Sequence, residues 1–140
     1  MNLFTSIESV AHARGAALAF DCAEHGQFSY ADVLTCSANF AAALNAAGVG
    51  AGDRVAVQLD KHIDVVWLYL AVLRQGAVYV PLNTGYTDAE LGYFIDDARP
   101  RLVVVNAERA KFVRELNDVR VVTLDDLREH APAGGAVASA

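Results

Sequence analysis

The sequence predicts an α/β fold in which a mostly parallel sheet is flanked by helices. After residue 50, short apolar segments alternate with segments of helical periodicity. Glycines bound several of the short links, and a strand–helix–strand unit with short links favours right-handed crossovers between parallel strands. The segment 102–105, Leu-Val-Val-Val, is apolar at every position, as expected for a strand that is covered on both faces.

The elements are predicted in chain order from these patterns. The amino-terminal part is predicted to hold a helix over 3–11 with Asn2 as its cap, a β-hairpin of 16–20 and 27–30 with Gly26 in the turn, and a helix from Ser29 to Gly48. The later part is predicted to hold strands over 54–59, 77–82, 102–105 and 119–123, and helices over 63–73, 88–98, 108–116 and 124–129.

Local signals predict where the helices begin and end. Ser29-Tyr30-Ala31-Asp32 resembles a capping box, and Thr87-Asp88-Ala89-Glu90 is a regular one. Asp60 is the expected cap of the helix that follows the first parallel strand. Gly76 and Pro100 are expected to end the helices that precede them.

Composition excludes several classes of protein. The chain has 140 residues, a net charge of −6 and 54% hydrophobic residues, which fits one compact unit over 1–131 with a small-residue flexible tail over 132–140. The acidic balance argues against nucleic-acid binding and against a basic membrane surface. The longest strongly apolar run of the chain, 65–73, has about half the length that is needed to span a membrane. A cytoplasmic protein is expected, and abundant alanine and arginine are typical of GC-rich bacterial genomes.

The sequence does not contain a catalytic constellation. Cys22 and Cys36 stand alone, so they are predicted to be reduced and not bonded to each other. The glycine-rich run 48–52 follows a helix and precedes a strand, which is the wrong context for a dinucleotide loop. The four histidines are scattered and are expected on the surface, and Asp96-Asp97 falls at a predicted helix end rather than after a strand.

Two segments nonetheless resemble the core motifs of a known superfamily. Residues 28–33, Phe-Ser-Tyr-Ala-Asp-Val, are similar to the first core motif of adenylate-forming enzymes, and residues 73–83, Leu-Arg-Gln-Gly-Ala-Val-Tyr-Val-Pro-Leu-Asn, are similar to the second. The intervening segment 48–58 also follows the family, at the right spacing. This resemblance covers residues 4–123 and implies part of the large amino-terminal domain of such an enzyme.

Within that superfamily, Asn-Thr-Gly-Tyr-Thr at 83–87 and Tyr-Phe-Ile-Asp-Asp-Ala at 93–98 are similar to malonyl-CoA synthetases. The resemblance implies a parent reaction in which a small carboxylic acid and ATP form an acyl-adenylate with Mg²⁺ assisting, and CoA then displaces AMP. Family members have several hundred residues, and their phosphate loop and catalytic lysine have no counterpart within these 140 residues. The chain alone is therefore expected to be inactive, with no catalytic residue and no bound metal or cofactor of its own.

The candidate binding residues are Asn83, Thr84 and Gly85. The resemblance implies that their turn borders the pantetheine tunnel of the CoA-using relatives, whereas the alternative is a plain turn that leads into the Thr87 cap. For the whole chain the alternative is a freestanding, non-catalytic α/β binding or interaction module. Strands that are apolar at every position need cover on both faces of the sheet. The isolated chain is therefore also expected to expose apolar surface and to self-associate.

Overall fold

A computed structural model describes residues 3–22, 26–116 and 118–130. The helices are α1 (Leu3–Arg14), α2 (Tyr30–Ala46), α3 (Ile63–Arg74), α4 (Asp88–Ala98), α5 (Ala107–Leu116) and α6 (Leu124–His130). The strands are β1 (Leu18–Cys22), β2 (Gly26–Ser29), β3 (Arg54–Gln58), β4 (Val78–Pro81), β5 (Leu102–Val105) and β6 (Val121–Val122). Asn2 and the tail 132–140 lie outside the described residues, so the predicted cap and tail stay predictions.

The central sheet has four parallel strands in the order β4-β3-β5-β6. Val55 lies beside Tyr79 on one side and beside Leu102 on the other. The chain therefore moves outward from β3 to β4, returns across β3 to β5, and continues outward to β6. This is a doubly wound α/β sheet, and the predicted fold class is confirmed.

Helices of this chain cover both faces of the sheet. Val55, Val57, Leu102 and Val104 point into a core shared with α1, α2, α3 and α6. Ala56, Val103, Val105 and Val121 point into a second core with α4 and α5. The cover that apolar strands need on both faces is therefore supplied for β3 and β5 by helices of this chain, with α4 and α5 on one face and the other four helices on the opposite face.

The amino-terminal hairpin closes one end of the larger core. β1 and β2 pair antiparallel, with Cys22 opposite Gly26. Phe20 and Phe28 meet the buried Trp67 ring edge-on, with centroids 5.7 and 5.2 Å from it. The hairpin is thus fixed to α3 by aromatic contacts, which is why the first core motif lies next to the helix that follows β3.

Most predicted helix ends are observed. Ser29 and Asp32 form the capping box of α2, with Asp32 N donating to Ser29 Oγ at 3.1 Å and Ser29 N donating to Asp32 Oδ2 at 2.8 Å. Gly48 and Gly76 have φ of 88° and 70° just after α2 and α3, a conformation that a side chain disfavours.

The predicted cap at Asp60 is wrong. α3 begins at Ile63, two residues later than that cap requires, and its N-cap is His62, whose Nδ1 accepts a hydrogen bond from Asp64 N at 3.0 Å. His62 is also only half exposed, against the expectation of surface histidines. Asp60 N instead donates to Asn106 Oδ1 at 3.3 Å, which ties the end of β3 to the end of β5.

Two further sequence predictions concern the cysteines and the membrane. Cys22 and Cys36 are both free and half-buried. Within the described ranges, none of the helices combines the length and apolarity that crossing a bilayer requires.

Candidate functional site

The turn after β4 carries the three candidate residues. Asn83 Oδ1 accepts a hydrogen bond from Gly85 N at 2.7 Å, and Asn83 O accepts one from Tyr86 N at 3.1 Å. The first bond is an Asx turn and the second closes a four-residue turn. Asn83, Thr84 and Gly85 are all exposed, so the structure brings the predicted residues together at the carboxyl edge of the sheet and leaves them accessible.

The Gly85 backbone is not in the left-handed region. A Cβ atom there would come within 3.2 Å of Asn83 Oδ1. The space beside this glycine is therefore filled by the chain's own asparagine. The structure shows a tight turn, and the tunnel remains an expectation from the resemblance.

Gln58 holds this turn in place, and sequence reasoning missed it. Its side chain is 3% exposed at the end of β3, and its Nε2 donates to Asn83 O at 3.0 Å. Leu82 N also donates to Val57 O at 2.8 Å. A glutamine directly after the apolar residues 55–57 was the one signal that could have indicated a polar contact at this edge.

The next residues build α4 directly onto the turn. Thr87 N donates to Glu90 Oε1 at 2.8 Å, and Glu90 N donates to Thr87 Oγ1 at 3.1 Å. The Tyr86 ring stacks on Phe94 with centroids 4.8 Å apart. The predicted capping box is confirmed, and the ring contact packs the turn against the exposed side of α4.

A cleft lies between the carboxyl ends of β3 and β5, where the chain leads from β3 to β4 on one side and from β5 to β6 on the other. Its volume is about 280 Å³, and its walls include Asp60, Asn106 and Thr123. Ligands of doubly wound sheets bind at such a switch point. The turn 83–85 follows β4, one strand away from this point, so the candidate residues lie beside the switch point and not in it.

A partly apolar cavity of about 380 Å³ lies between α2, α3 and α6. Trp67, Phe40 and Ile63 supply apolar walls, and Asn39 and Arg128 supply polar ones. Asn39 Oδ1 is buried and has no donor among the described residues.

Charged and titratable groups surround this cavity. The Arg128 guanidinium pairs with the carboxylates of Asp64 and Asp125. His62 Nδ1 accepts a hydrogen bond from Asp64 N and lies 3.5 Å from Asp64 Oδ2. The side chains of His62 and Asp64 form an ion pair only when the imidazole ring is protonated. Burial, and then the Asp32 carboxylate, raise the pKa of the Cys36 thiol.

The donor set of the candidate turn does not fit a magnesium or nucleotide phosphate site. Among residues 3–22, 26–116 and 118–130, no three His, Cys, Asp or Glu side chains converge on a point where they could hold a metal. At the candidate turn, Asn83 Oδ1 is already occupied by Gly85 N. The arrangement can present backbone and a threonine hydroxyl to a ligand, and it cannot by itself activate a phosphate.

Comparison with known proteins decides the family. The family model described as "AMP-binding enzyme" matches residues 7–138. The chain belongs to the AMP-binding enzyme family. This places it in the adenylate-forming superfamily that the two core motifs indicate.

Solved structures in this family share the fold and part of the sequence. ATP-bound MatB from Rhodopseudomonas palustris is 36% identical, with a TM-score of 0.86, over 99% of this chain and 28% of that chain. VinN in complex with 3-methylaspartate is 32% identical, with a TM-score of 0.82, over 91% of this chain and 36% of that chain. The first of these structures contains bound ATP, and the second contains 3-methylaspartate.

Curated relatives include peptide synthetases. The nonribosomal peptide synthetase inpB of Emericella nidulans is 35% identical over 118 residues, which are 84% of this chain and 5% of that protein. This chain spans well under half of the solved structures that it matches, and 3 to 7% of the curated relatives. The activities of those longer proteins therefore do not transfer to it directly.

Proposed function

We propose that this chain is the amino-terminal structural portion of an ATP-dependent acyl-CoA ligase of the bacterial cytoplasm. The parent reaction would convert malonate or a similar short carboxylate, with ATP and CoA, into acyl-CoA, AMP and diphosphate. The observation that carries this proposal is the 36% identity to ATP-bound MatB over 99% of this chain. The choice of a malonate-like acid rests on the resemblance of residues 83–98 to malonyl-CoA synthetases.

In this proposal the chain holds the second core motif and the following turn in position, and it contributes no catalytic residue. β4 delivers the second core motif to the carboxyl edge, and Gln58 fixes the following turn through Asn83 O. Asn83, Thr84 and Gly85 would border the pantetheine arm of CoA, with the exposed Thr84 hydroxyl as the group free to face it. The ATP and Mg²⁺ of this reaction would be held by residues outside this chain, since the residues of the candidate turn do not fit them.

Two alternatives have observations in their favour. The curated relatives favour an adenylation unit of a peptide synthetase, whose acyl group would go to a different thiol than that of CoA. The covered sheet favours a freestanding binding module, because helices of this chain enclose both cores. The product thioester distinguishes the first alternative, and stability without downstream chain distinguishes the second.

The isolated chain should be inactive. We expect no carboxylate-dependent exchange of labelled diphosphate into ATP, since the sequence holds neither the phosphate loop nor the lysine of the family. The assay uses a preparation free of host synthetases, with a protein-free blank as its control. Exchange above that blank would contradict the structural role.

A chimaera tests the positive side of the proposal. This chain replaces the structurally equivalent amino-terminal part of MatB, and the product acyl-CoA is measured with the acid that MatB itself uses. We expect activity to be retained. Absence of activity from a folded chimaera that still binds ATP would contradict the proposal.

Two variants of the chimaera test the tunnel. Thr84→Val should raise the KM for CoA and leave diphosphate exchange unchanged, because only the thiol step would use this turn. Thr5→Val is the matched control, since Thr5 is an exposed threonine on α1. An equal effect of both variants, or an effect on exchange alone, would count against the tunnel.

A further inference from the structure

We propose that a cleft at the amino edge of the sheet binds a small multivalent phosphate anion, either diphosphate or the diphosphate group of a nucleotide. This arginine cleft has a volume of about 620 Å³ and is lined by Arg54, Arg99, Arg101, Arg120, Asp53 and Asp118. It lies where β3, β5 and β6 begin. The length of β3 separates it by about 13 Å from the turn at the carboxyl edge, so this proposal is independent of the proposed function.

The charge of the arginine cleft is opposite to that of the chain. The chain has a formal charge of −6 and only 11 lysines and arginines. Four of those arginines meet here against two aspartates, which leaves the cleft with a formal charge of +2. A concave surface with a net positive charge attracts anions, even on a protein whose total charge repels them.

Arg99 is held in a conformation that its own side chain opposes. Its φ is 47°, and it is the one non-glycine residue with positive φ in the described ranges. Strained backbone of this kind is unfavourable for a residue with a side chain, and it is concentrated at functional positions. The Arg99 guanidinium has no hydrogen bond or ion pair with the described residues, so all of its donors are available to a ligand.

The end of α4 does not require the Arg99 charge. A cation at a helix carboxyl terminus often stabilises the last carbonyl groups. Here Arg54 performs this role, since its Nη1 donates to Ala98 O at 2.9 Å. The Arg99 guanidinium is therefore not needed to stabilise the end of α4.

The neighbouring arginines also have N–H donors that their contacts within the chain do not use. Arg120 Nη1 donates to Ala47 O at 3.0 Å, and Arg101 Nε lies 3.4 Å from Asp53 Oδ2. Each guanidinium has five N–H donors, so these contacts orient the groups and leave most donors unused. Asp53 Oδ2 also accepts from Gly50 N at 2.8 Å, which reduces its competition for Arg101.

This donor set favours phosphate over other ligands. The walls of the cleft are mainly polar, so an apolar ligand would gain little by binding there. Guanidinium groups bind phosphate oxygens in pairs, and several of them around one cleft match a ligand that carries several charges in a small volume. Diphosphate meets that requirement as a free ion or as part of a nucleotide.

Calorimetric titration of the 140-residue chain with diphosphate, at constant ionic strength, tests the proposal. We expect one saturable site and weaker binding of monophosphate. Arg99→Asn should weaken diphosphate binding about fivefold or more, because it removes a guanidinium and asparagine tolerates positive φ. Arg14→Asn is the matched control, since it removes the same charge from an exposed position at the end of α1.

A second variant and a second ligand complete the test. Arg101→Gln should also weaken binding, and circular dichroism should show that all three variants are folded. ADP binding with the same dependence on Arg99 would identify the diphosphate group of a nucleotide as a source, and absence of ADP binding would identify the free ion. Equal weakening by Arg99→Asn and Arg14→Asn, or absence of a saturable site, would show an adventitious ion only and overturn the proposal.

Discussion

Arg99 illustrates how one backbone angle can be tested apart from its side chain. Its φ of 47° lies in the left-handed region, so Arg99→Gly should raise the free energy of unfolding by about 1 kcal/mol. Urea unfolding measures the change. Arg101→Gly is the control, because Arg101 does not have positive φ, and glycine there should lower stability. Destabilisation by Arg99→Gly would show that the arginine contributes more than its strain.

Cys36 predicts a dependence on pH. Burial, and then the carboxylate of Asp32, raise the pKa of its thiol above the ordinary value of 9.0. A thiol whose pKa is higher in the folded state stabilises the fold fully below the unfolded pKa, and that contribution is lost as pH rises through the folded pKa. Stability should therefore fall above about pH 9.

Two cysteine variants isolate this effect. In Cys22→Ser, alkylation of Cys36 should reach half its maximal rate at a higher pH in the folded chain than in the same chain unfolded in urea. The double variant Cys22→Ser/Cys36→Ser retains every other titrating group, and its stability should fall less steeply above pH 9. Identical alkylation profiles in the folded and unfolded states would refute the raised pKa.

At the element scale, α4 depends on its first turn. Thr87→Ala removes the hydroxyl that accepts from Glu90 N, so the free energy of unfolding should fall by about 1 kcal/mol. Thr87→Ser retains the acceptor and should change stability by much less. Chemical denaturation of both variants provides the comparison, and equal losses would assign the effect to the lost methyl group instead of the cap.

Sequence patterns predicted a structural feature correctly when the residues that form it lie close together in the chain. The caps at Ser29 and Thr87 were predicted because the partner residues lie three positions away in the chain. His62 was missed as a cap, since Asp60 satisfies the same pattern and only the packing of α3 decides between them. β6 is shorter than predicted, with two residues, because β-propensity does not show how far a partner strand extends.

At the scale of the whole molecule, alternation of strands and helices was enough to predict the parallel sheet. Strand order was not predictable, because the pattern does not tell whether β5 pairs with β4 or with β3. The candidate turn was found through the motif resemblance. Gln58 and the arginine cleft were not found, since each joins residues that are distant in sequence, 25 positions apart for Gln58 and Asn83 and 73 for Arg120 and Ala47.

An apolar surface lies along the edge strand β4 and is not covered by this fold. β4 is an edge strand whose Val78 is 46% exposed, and the nearby ring of Tyr69, 38% exposed, meets Tyr79 edge-on at 5.1 Å. An unpaired edge beside apolar side chains favours association. We therefore expect the isolated chain to self-associate through this edge, even though its two cores are covered.

Light scattering after size exclusion at tens of micromolar measures that association, and a dye for apolar surface is the parallel probe. Val78→Lys should shift the chain toward monomer and reduce dye binding, because a charge on an edge strand opposes pairing with another strand. Tyr93→Lys is the control, since Tyr93 is 65% exposed on α4, the helix that packs on the opposite face of the sheet from α3. A stable monomer that binds no dye would contradict the prediction and favour the freestanding module, whereas an equal response to both variants would place the association elsewhere than on β4.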